Sequence, residues 1–251
     1  MHPLWMSILI VGLLAAFAWS ANRRWQLLKV GLPASRLDQL GKRLTGMLVI
    51  AFGQKRMPYY PLAGVAHMII FFGFLVLLTR SVILWGRGFD PDFNLWILGP
   101  APIAGIPLGH LYDFAKDIAA TAVLLAALVC VYYRVIRKES RMTLSTEALV
   151  ILIIIIVMMA ADMMYDGAAQ VLQARHAAAA CDGGDPLLCS RVSTIVAHLG
   201  PAAAQQETIA YSLWPTPAGS LFAVLLAGAG PGTLVVLAHV GFWTHSALVL
   251  I

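Results

Sequence analysis

The stretch ALVILIIIIVMMAAD, residues 148–162, is apolar throughout until an aspartate closes it. A helix needs roughly 20 such residues to cross the hydrocarbon core of a bilayer. Five runs approach that length: Leu4–Ser20, Pro61–Trp85, His110–Ile136, Ala148–Asp166 and Gly232–Ile251. A weaker stretch, Gly219–Ala229, is too short to span. It reads as a short helix at the membrane surface, broken at Pro231 where the last span begins. Residues 167–218 then form the loop between the fourth and fifth spans. The expected fold is all-α: one integral membrane helical bundle over residues 1–251, with five transmembrane helices. Composition agrees, with 60% hydrophobic and 12% charged residues and a mean hydropathy of +0.82. A soluble domain carries about 45–50% apolar and about 25% charged residues.

The net charge of +5 is not a nucleic-acid footprint, because the basic residues cluster between spans. Arg23, Arg24, Lys29, Arg36, Lys42, Arg43, Lys55 and Arg56 follow span one, and Arg134, Arg137, Lys138 and Arg141 follow span three. The other two loops hold only Arg87, Arg175 and Arg191, beside the acids Asp90, Asp92, Asp166, Asp182, Asp185 and Glu207. This positive-inside bias puts the N-terminus outside, the loops at 21–60 and 134–147 in the cytoplasm, and the C-terminal end towards the cytoplasm. Met1–Trp5 has no Lys or Arg, so the first span is expected to be an uncleaved helix rather than a signal peptide. Cys181 and Cys189 bracket CDGGDPLLC in the outer loop; facing an oxidising space, they are a candidate disulfide, with two free thiols as the alternative. Cys130 lies within a span and reads as packing.

An ionisable side chain in hydrocarbon costs roughly 2.5–3.5 kcal/mol on insertion scales, so the exceptions are informative. They are His67 and Arg80 in span two, His110, Asp113, Lys116 and Asp117 at the start of span three, Asp162 in span four, and His239 and His245 in span five. No zinc-protease motif, phosphate loop or Ser/His/Asp set accompanies them. Neutral imidazole among apolar and aromatic side chains suits an axial haem ligand, and without CxxCH such a haem is b-type. A single intramembrane histidine more often bridges helices by hydrogen bonds; four on three helices tilt towards a cofactor. His239 and His245 point about 120° apart on a helix and cannot both face one iron.

Three stretches carry a resemblance: FGQKRMPYYPLAGVAHMIIFFGFLVLLTR (52–80), LYDFAKDIAATAVLLAALVCVYYRVIRKESRM (111–142) and LAHVGFWTHSALVLI (237–251). The pattern resembles the cytochrome b (gamma) subunit of respiratory nitrate reductase. It is closest to the N-terminal membrane domain of heterodisulfide-reductase-related iron-sulfur oxidoreductases, including the type that oxidises or reduces electron-transfer flavoprotein against menaquinone. The outer loop carries no part of the resemblance. It implies one or two b haems. His67 matches the first ligand of the span-two pair, while Leu77 stands where the second is expected. His245 matches the first ligand of the span-five pair, whose second would fall beyond Ile251. The sequence is therefore expected to be a fragment whose last helix continues, with a complete five-span protein as the alternative, since about 20 residues just cross the bilayer. On that basis His67 holds haem iron with a ligand outside the sequence, and His245, or else His239, faces His110 for an outer haem; a single-haem protein is the variant.

The resemblance also implies a quinone as substrate, iron-sulfur clusters in a missing domain or a cytoplasmic partner, an electron-transfer flavoprotein among the partners, and a bacterial or archaeal cytoplasmic membrane. Quinone chemistry needs a proton-exchanging group and a cation beside an apolar slot. HLYDFAKD (110–117) offers Asp113 and Lys116, with Arg80 nearby; Lys116 is placed to pair with Asp113, and Arg80 with Asp162 or a haem propionate. An interfacial salt bridge is the plain alternative. The leading expectation is a b-haem electron-transfer subunit of a quinone-linked oxidoreductase. The alternative is a haem-free anchor or proton-relay bundle. GQKRMPYYP reads as an interfacial anchor, Arg36–Phe52 as an amphipathic surface stretch, and His2, His176 and His198 as ordinary surface residues.

Overall fold

The computed structural model describes residues 2–31, 38–59, 61–138, 145–177, 181–182, 185–199 and 209–249. Arg36, Tyr60, Arg141, Glu207 and Ile251, and with them parts of the readings above, lie outside these. The described chain is all-helical, with a lone antiparallel bridge between Ile103 and Ile106. Its main helices are α1 (Pro3–Leu28), α2 (Leu40–Met47), α3 (Pro61–Arg87), α4 (Leu108–Val131), α5 (Thr146–Val171), α6 (Pro186–Val196), α7 (Pro217–Leu226) and α8 (Pro231–Leu248). Helices α4 and α5 each run on through a π turn, to Ile136 and His176.

Among the described residues, four helices are long and apolar enough to cross a membrane: Pro3–Leu28, Pro61–Arg87, Leu108–Ile136 and Thr146–His176. At ~1.5 Å per residue each exceeds the roughly 30 Å hydrocarbon core. Large apolar side chains such as Phe72, Phe74, Leu78, Ile151 and Ile153 are exposed on their outer faces, as a lipid-facing surface requires. The chain is a multi-pass membrane protein. Helix α8 has 18 residues and packs along α5.

Local sequence explains the starts. Pro occupies the first turn of α1, α6, α7 and α8, where its missing N–H leaves nothing unpaired. Ser145 caps α5 by accepting from the Ala148 N–H, and Asp185 caps α6 by accepting from Leu187. The ends run later than the apolar runs suggest. Helix α1 continues past Ser20 to Leu28, with Arg23 lying over Trp19, and α5 continues past Asp166. A polar residue ends an apolar run but not a helix, and no Pro or Gly interrupts Ala21–Leu28.

Helix α5 is the centre of the bundle, with α4, α7 and α8 packed on it and α3 on α4. Small residues allow the close approach. A Cβ on Gly241 would stand 2.6 Å from the Ala161 carbonyl oxygen, and one on Gly167 would stand 2.5 Å from the Phe222 Cβ.

The stretch at 219–229 falls in α7, which starts earlier, at Pro217, buries Pro217, Ala218, Gly219, Ser220 and Ala223, and packs against α4 and α5. Asp117 draws it in, as described below. The described residues of the 167–218 loop include a packed helix, α6. Val192, Ile195 and Val196 of α6 pack into the core with Tyr165, Leu172 and Leu234, and Cys181 and Cys189 form a disulfide with Cα atoms 4.9 Å apart.

Gly167→Ala and Gly241→Ala are expected each to destabilise the protein by about 1–3 kcal/mol, as overpacking does. Gly228→Ala, with open space around the new methyl, is expected to leave it unchanged. Thermal unfolding in detergent compares the three, and equal melting temperatures would refute the close packing.

Candidate functional site

Asp162 and Asp166 lie one turn apart on α5 and so face the same neighbours. Arg80 of α3 reaches both: its Nε donates to Asp162 Oδ1 at 2.9 Å and its Nη2 to Asp166 Oδ1 at 2.5 Å. Lys116 of α4 donates to Asp166 Oδ2 from the other side, with Asp117 Oδ1 at 3.8 Å and Asp162 Oδ2 at 3.9 Å. None of these side chains is more than 8% exposed. Asp117 is held by α7, accepting on Oδ2 from the Ala218 N–H at 2.5 Å and the Gly219 N–H at 3.2 Å. The positive end of that helix, which has no cap of its own, thereby compensates a buried carboxylate.

His245 of α8 completes the cluster. Its Nε2 lies 3.3 Å from Ser81 Oγ and its Nδ1 3.6 Å from Asp162 Oδ1. Ser81 donates to the Leu77 carbonyl, so its oxygen is left to accept from the ring, which places a proton on Nε2. Two cations thus meet three carboxyl groups and an imidazole, so the cluster holds one more acid than it has cations.

A cavity of about 230 Å³ lies beside this cluster, at the end of the bundle where α3 ends and α4 begins. Arg80 and Asp166 belong to both, and Arg87, His110, Asp113 and His198 stand on its wall. Arg87 is 4% exposed. Its Nε donates to the Phe93 carbonyl at 3.2 Å and its Nη2 to Asn94 Oδ1 at 2.6 Å, while Nη1 is buried without a partner. His198 stacks on Tyr165, ring centroids 5.7 Å apart and planes 16° from parallel. The residue is half-buried as a whole, yet its Nδ1 is sealed from solvent and unpartnered. Burial, followed by the Arg87 and Arg80 guanidiniums, pushes its imidazole well below the usual histidine range, so it is neutral at physiological pH. The Tyr165 hydroxyl lies within hydrogen-bonding reach of the Arg87 side chain, although the pair falls short of full hydrogen-bond geometry.

The structure thus brings Arg80, Lys116 and His245 into one cluster and sets Asp113 and His110 on the adjoining cavity. Lys116 pairs with Asp166 across the helix interface, not with Asp113 on its own helix, because its side chain points at α5. Arg80 takes Asp162, and Asp166 as well. His67 stands apart, exposed on α3 and 13 positions before Arg80, about 20 Å along the helix. His239 is half-buried with Nδ1 2.8 Å from the Val235 carbonyl oxygen.

A haem fits these positions unevenly. His67 is exposed and meets no hydrogen-bond partner among the described residues, so its ring is open to an iron. The set His110, His239 and His245 does not fit an outer haem: His245 is fully buried with its ring nitrogens towards Ser81 and Asp162, and His239 faces its own helix. No group of three or more His, Cys, Asp or Glu able to hold a metal ion occurs among the described residues.

Three residues escaped the sequence reading. Asp166 was legible as Asp162 plus one turn. Arg87 lies seven residues after Arg80, on nearly the same face of α3. His198 follows the apolar positions Val192, Ile195 and Val196, whose spacing marks a buried helix face and not an exposed loop. No family model, curated protein or solved structure matches the chain.

Arg80→Gln and Asp166→Asn are each expected to lower stability by about 3–5 kcal/mol, because each strands a buried charge. Unfolding in increasing SDS measures this, and unchanged midpoints would show that the network carries no stability. The His198 shift also sets a pH dependence. Below about pH 6.5 the unfolded chain binds a proton on this ring that the folded protein does not. Stability present above that pH is therefore lost as pH falls, and His198→Phe is expected to flatten the decline in melting temperature between pH 7.5 and 5.5.

Proposed function

We propose that this chain is the membrane part of a quinone-linked oxidoreductase of a bacterial or archaeal cytoplasmic membrane. In this reading α8 is a fifth span, the N-terminus is outside, and the basic loops and C-terminal end face the cytoplasm. The support is the distribution of Lys and Arg among the loops. The cavity then lies in the outer half of the bilayer. The observation that carries the proposal is the convergence of Arg87, His110, Asp113 and His198 on one cavity beside a cluster of two cations and three carboxyl groups. A quinone head group is a compact ring with two oxygens, and each takes up a proton when the ring is reduced. It needs hydrogen-bond donors at those oxygens and proton-exchanging groups within reach. Asp113 and His110 supply such groups on the wall, and the Asp162–Asp166–Lys116 cluster supplies a buried store behind it.

The resemblance of spans two, three and five supplies the electron partner: a cytoplasmic iron-sulfur domain or subunit, with an electron-transfer flavoprotein as donor or acceptor. A b haem would be held by His67, with its second ligand from outside the described residues, and would supply one-electron transfer across the inner half of the bilayer. The residues of this chain position the quinone, exclude water from the ion cluster and hold the exchangeable proton.

His245 favours a second reading, a haem-free proton-relay bundle. Its imidazole sits between Ser81 and Asp162, where it can pass a proton between the cluster and the far end of α8. Two measurements on the purified chain separate the readings: titration with decylubiquinone and menadione, and a reduced-minus-oxidised spectrum with a pyridine haemochrome assay. Quinone binding together with a b-type signal that disappears in His67→Ala is the expected result. Folded protein that binds neither quinone nor haem would leave the relay reading.

A further inference from the structure

We infer that Arg87 and His198 form the oxygen-binding end of the cavity, with Arg87 Nη1 and His198 Nδ1 both directed to one oxygen of a neutral carbonyl-bearing ring. The inference rests on the quinone reading above and names the residues that would hold the head group.

Arg87 is fixed before any ligand arrives. Its Nε and Nη2 are taken by the Phe93 carbonyl and Asn94 Oδ1, and Asn94 is itself held by donating to the Asp92 carbonyl at 2.9 Å. Those acceptors are neutral, the guanidinium has no carboxylate within ion-pair distance among the described residues, and its Nη1 amino group has no hydrogen-bond partner. A buried arginine held this way costs stability unless something accepts from Nη1. His198 is fixed as well. The stack on Tyr165 sets its ring plane, the buried face of α6 sets its position, and the Cys181–Cys189 disulfide ties down the start of that helix. Arg87 and His198 both line the cavity, and each carries one buried polar nitrogen without a hydrogen-bond partner, which is the pattern of a prepared site.

The charges select the ligand. An anion would be drawn to Arg87 but would meet the Asp113 carboxyl on the same wall and the excess carboxyl group of the neighbouring cluster. A neutral ring with a carbonyl oxygen meets no such opposition. The neutral imidazole of His198 suits both redox states: it donates to a quinone oxygen when Nδ1 carries the proton, and accepts from a quinol hydroxyl when it does not. Arg87 only donates, and so favours the oxygen end in either state. His198 comes from the 167–218 segment, which lies outside the three stretches that carry the family resemblance.

The test is the dissociation constant of menadione and of decylubiquinone for the full chain in nanodiscs, in wild type, His198→Phe, His198→Asn, Arg87→Lys and His176→Phe. Phe keeps the stack on Tyr165 and removes the nitrogen, whereas Asn returns a side-chain N–H. His198→Phe is expected to weaken binding about tenfold, the loss of one good hydrogen bond. His198→Asn is expected to recover most of that, Arg87→Lys to weaken binding, and His176→Phe, outside the cavity, to change nothing. Equal affinity in wild type, His198→Phe and Arg87→Lys would overturn the inference and leave the quinone reading intact. A loss in His198→Phe that His198→Asn does not restore would overturn the hydrogen-bonding role in favour of packing. Wild type that binds neither quinone would overturn the quinone reading, and this inference with it.

Discussion

The Arg80 guanidinium between Asp162 and Asp166 is the contact on which the rest of the bundle depends. A charge in the middle of a membrane helix is tolerated when it is paired and turned inwards. Arg80 is 2% exposed and Asp162 fully buried, so neither can turn to water or lipid without unfolding the interface. Pairing them sets the rotation of α3 about its own axis relative to α5, and that rotation carries Ser81 to His245 and Arg87 to the cavity. Lys116 repeats the constraint from α4. Three helices are thus keyed to one another by four side chains, while the apolar residues around them accept many rotations.

The same keying builds the cavity. Asp117, next to Lys116, faces the start of α7 and caps it through Ala218 and Gly219. That contact draws a ten-residue helix into the bundle, and Gln170 of α5 holds Thr216 just before it. Residues 209–216 then pass over the end of the bundle, where Trp214 packs against Phe114 at 5.4 Å. The cavity lies between this strap, the ends of α3 and α4, and the His198 segment. Its walls come from five separate stretches of chain, held together by ion pairs and caps beneath them.

The apolar runs and their lengths were legible in the sequence, because a span must hide its backbone polar groups and only a long apolar helix does so alone. The polar exceptions were legible too: Arg80, Lys116, Asp117, Asp162 and His245 stand out in their runs, and all five meet in the structure. Their partners were harder to read. Lys116 has Asp113 at helical spacing on its own helix yet turns to Asp166 on another, since helix rotation depends on every contact along the interface. His198 lies between spans, where a surface position is the ordinary expectation, and only the apolar spacing of Val192, Ile195 and Val196 before it marks a buried face.

What the sequence by itself determined is the solvent: long apolar helices, small residues for close approach, and a few charges too expensive to leave unpaired. It determined the charge bias of the loops for the same reason, since both are one-dimensional properties of the chain. Only the tertiary structure decided which charge meets which, that α7 enters the bundle, and that Arg87 and His198 share a wall. Those outcomes turn on the relative rotation and depth of helices far apart in sequence, and an ion pair forms only where both agree to within about an ångström.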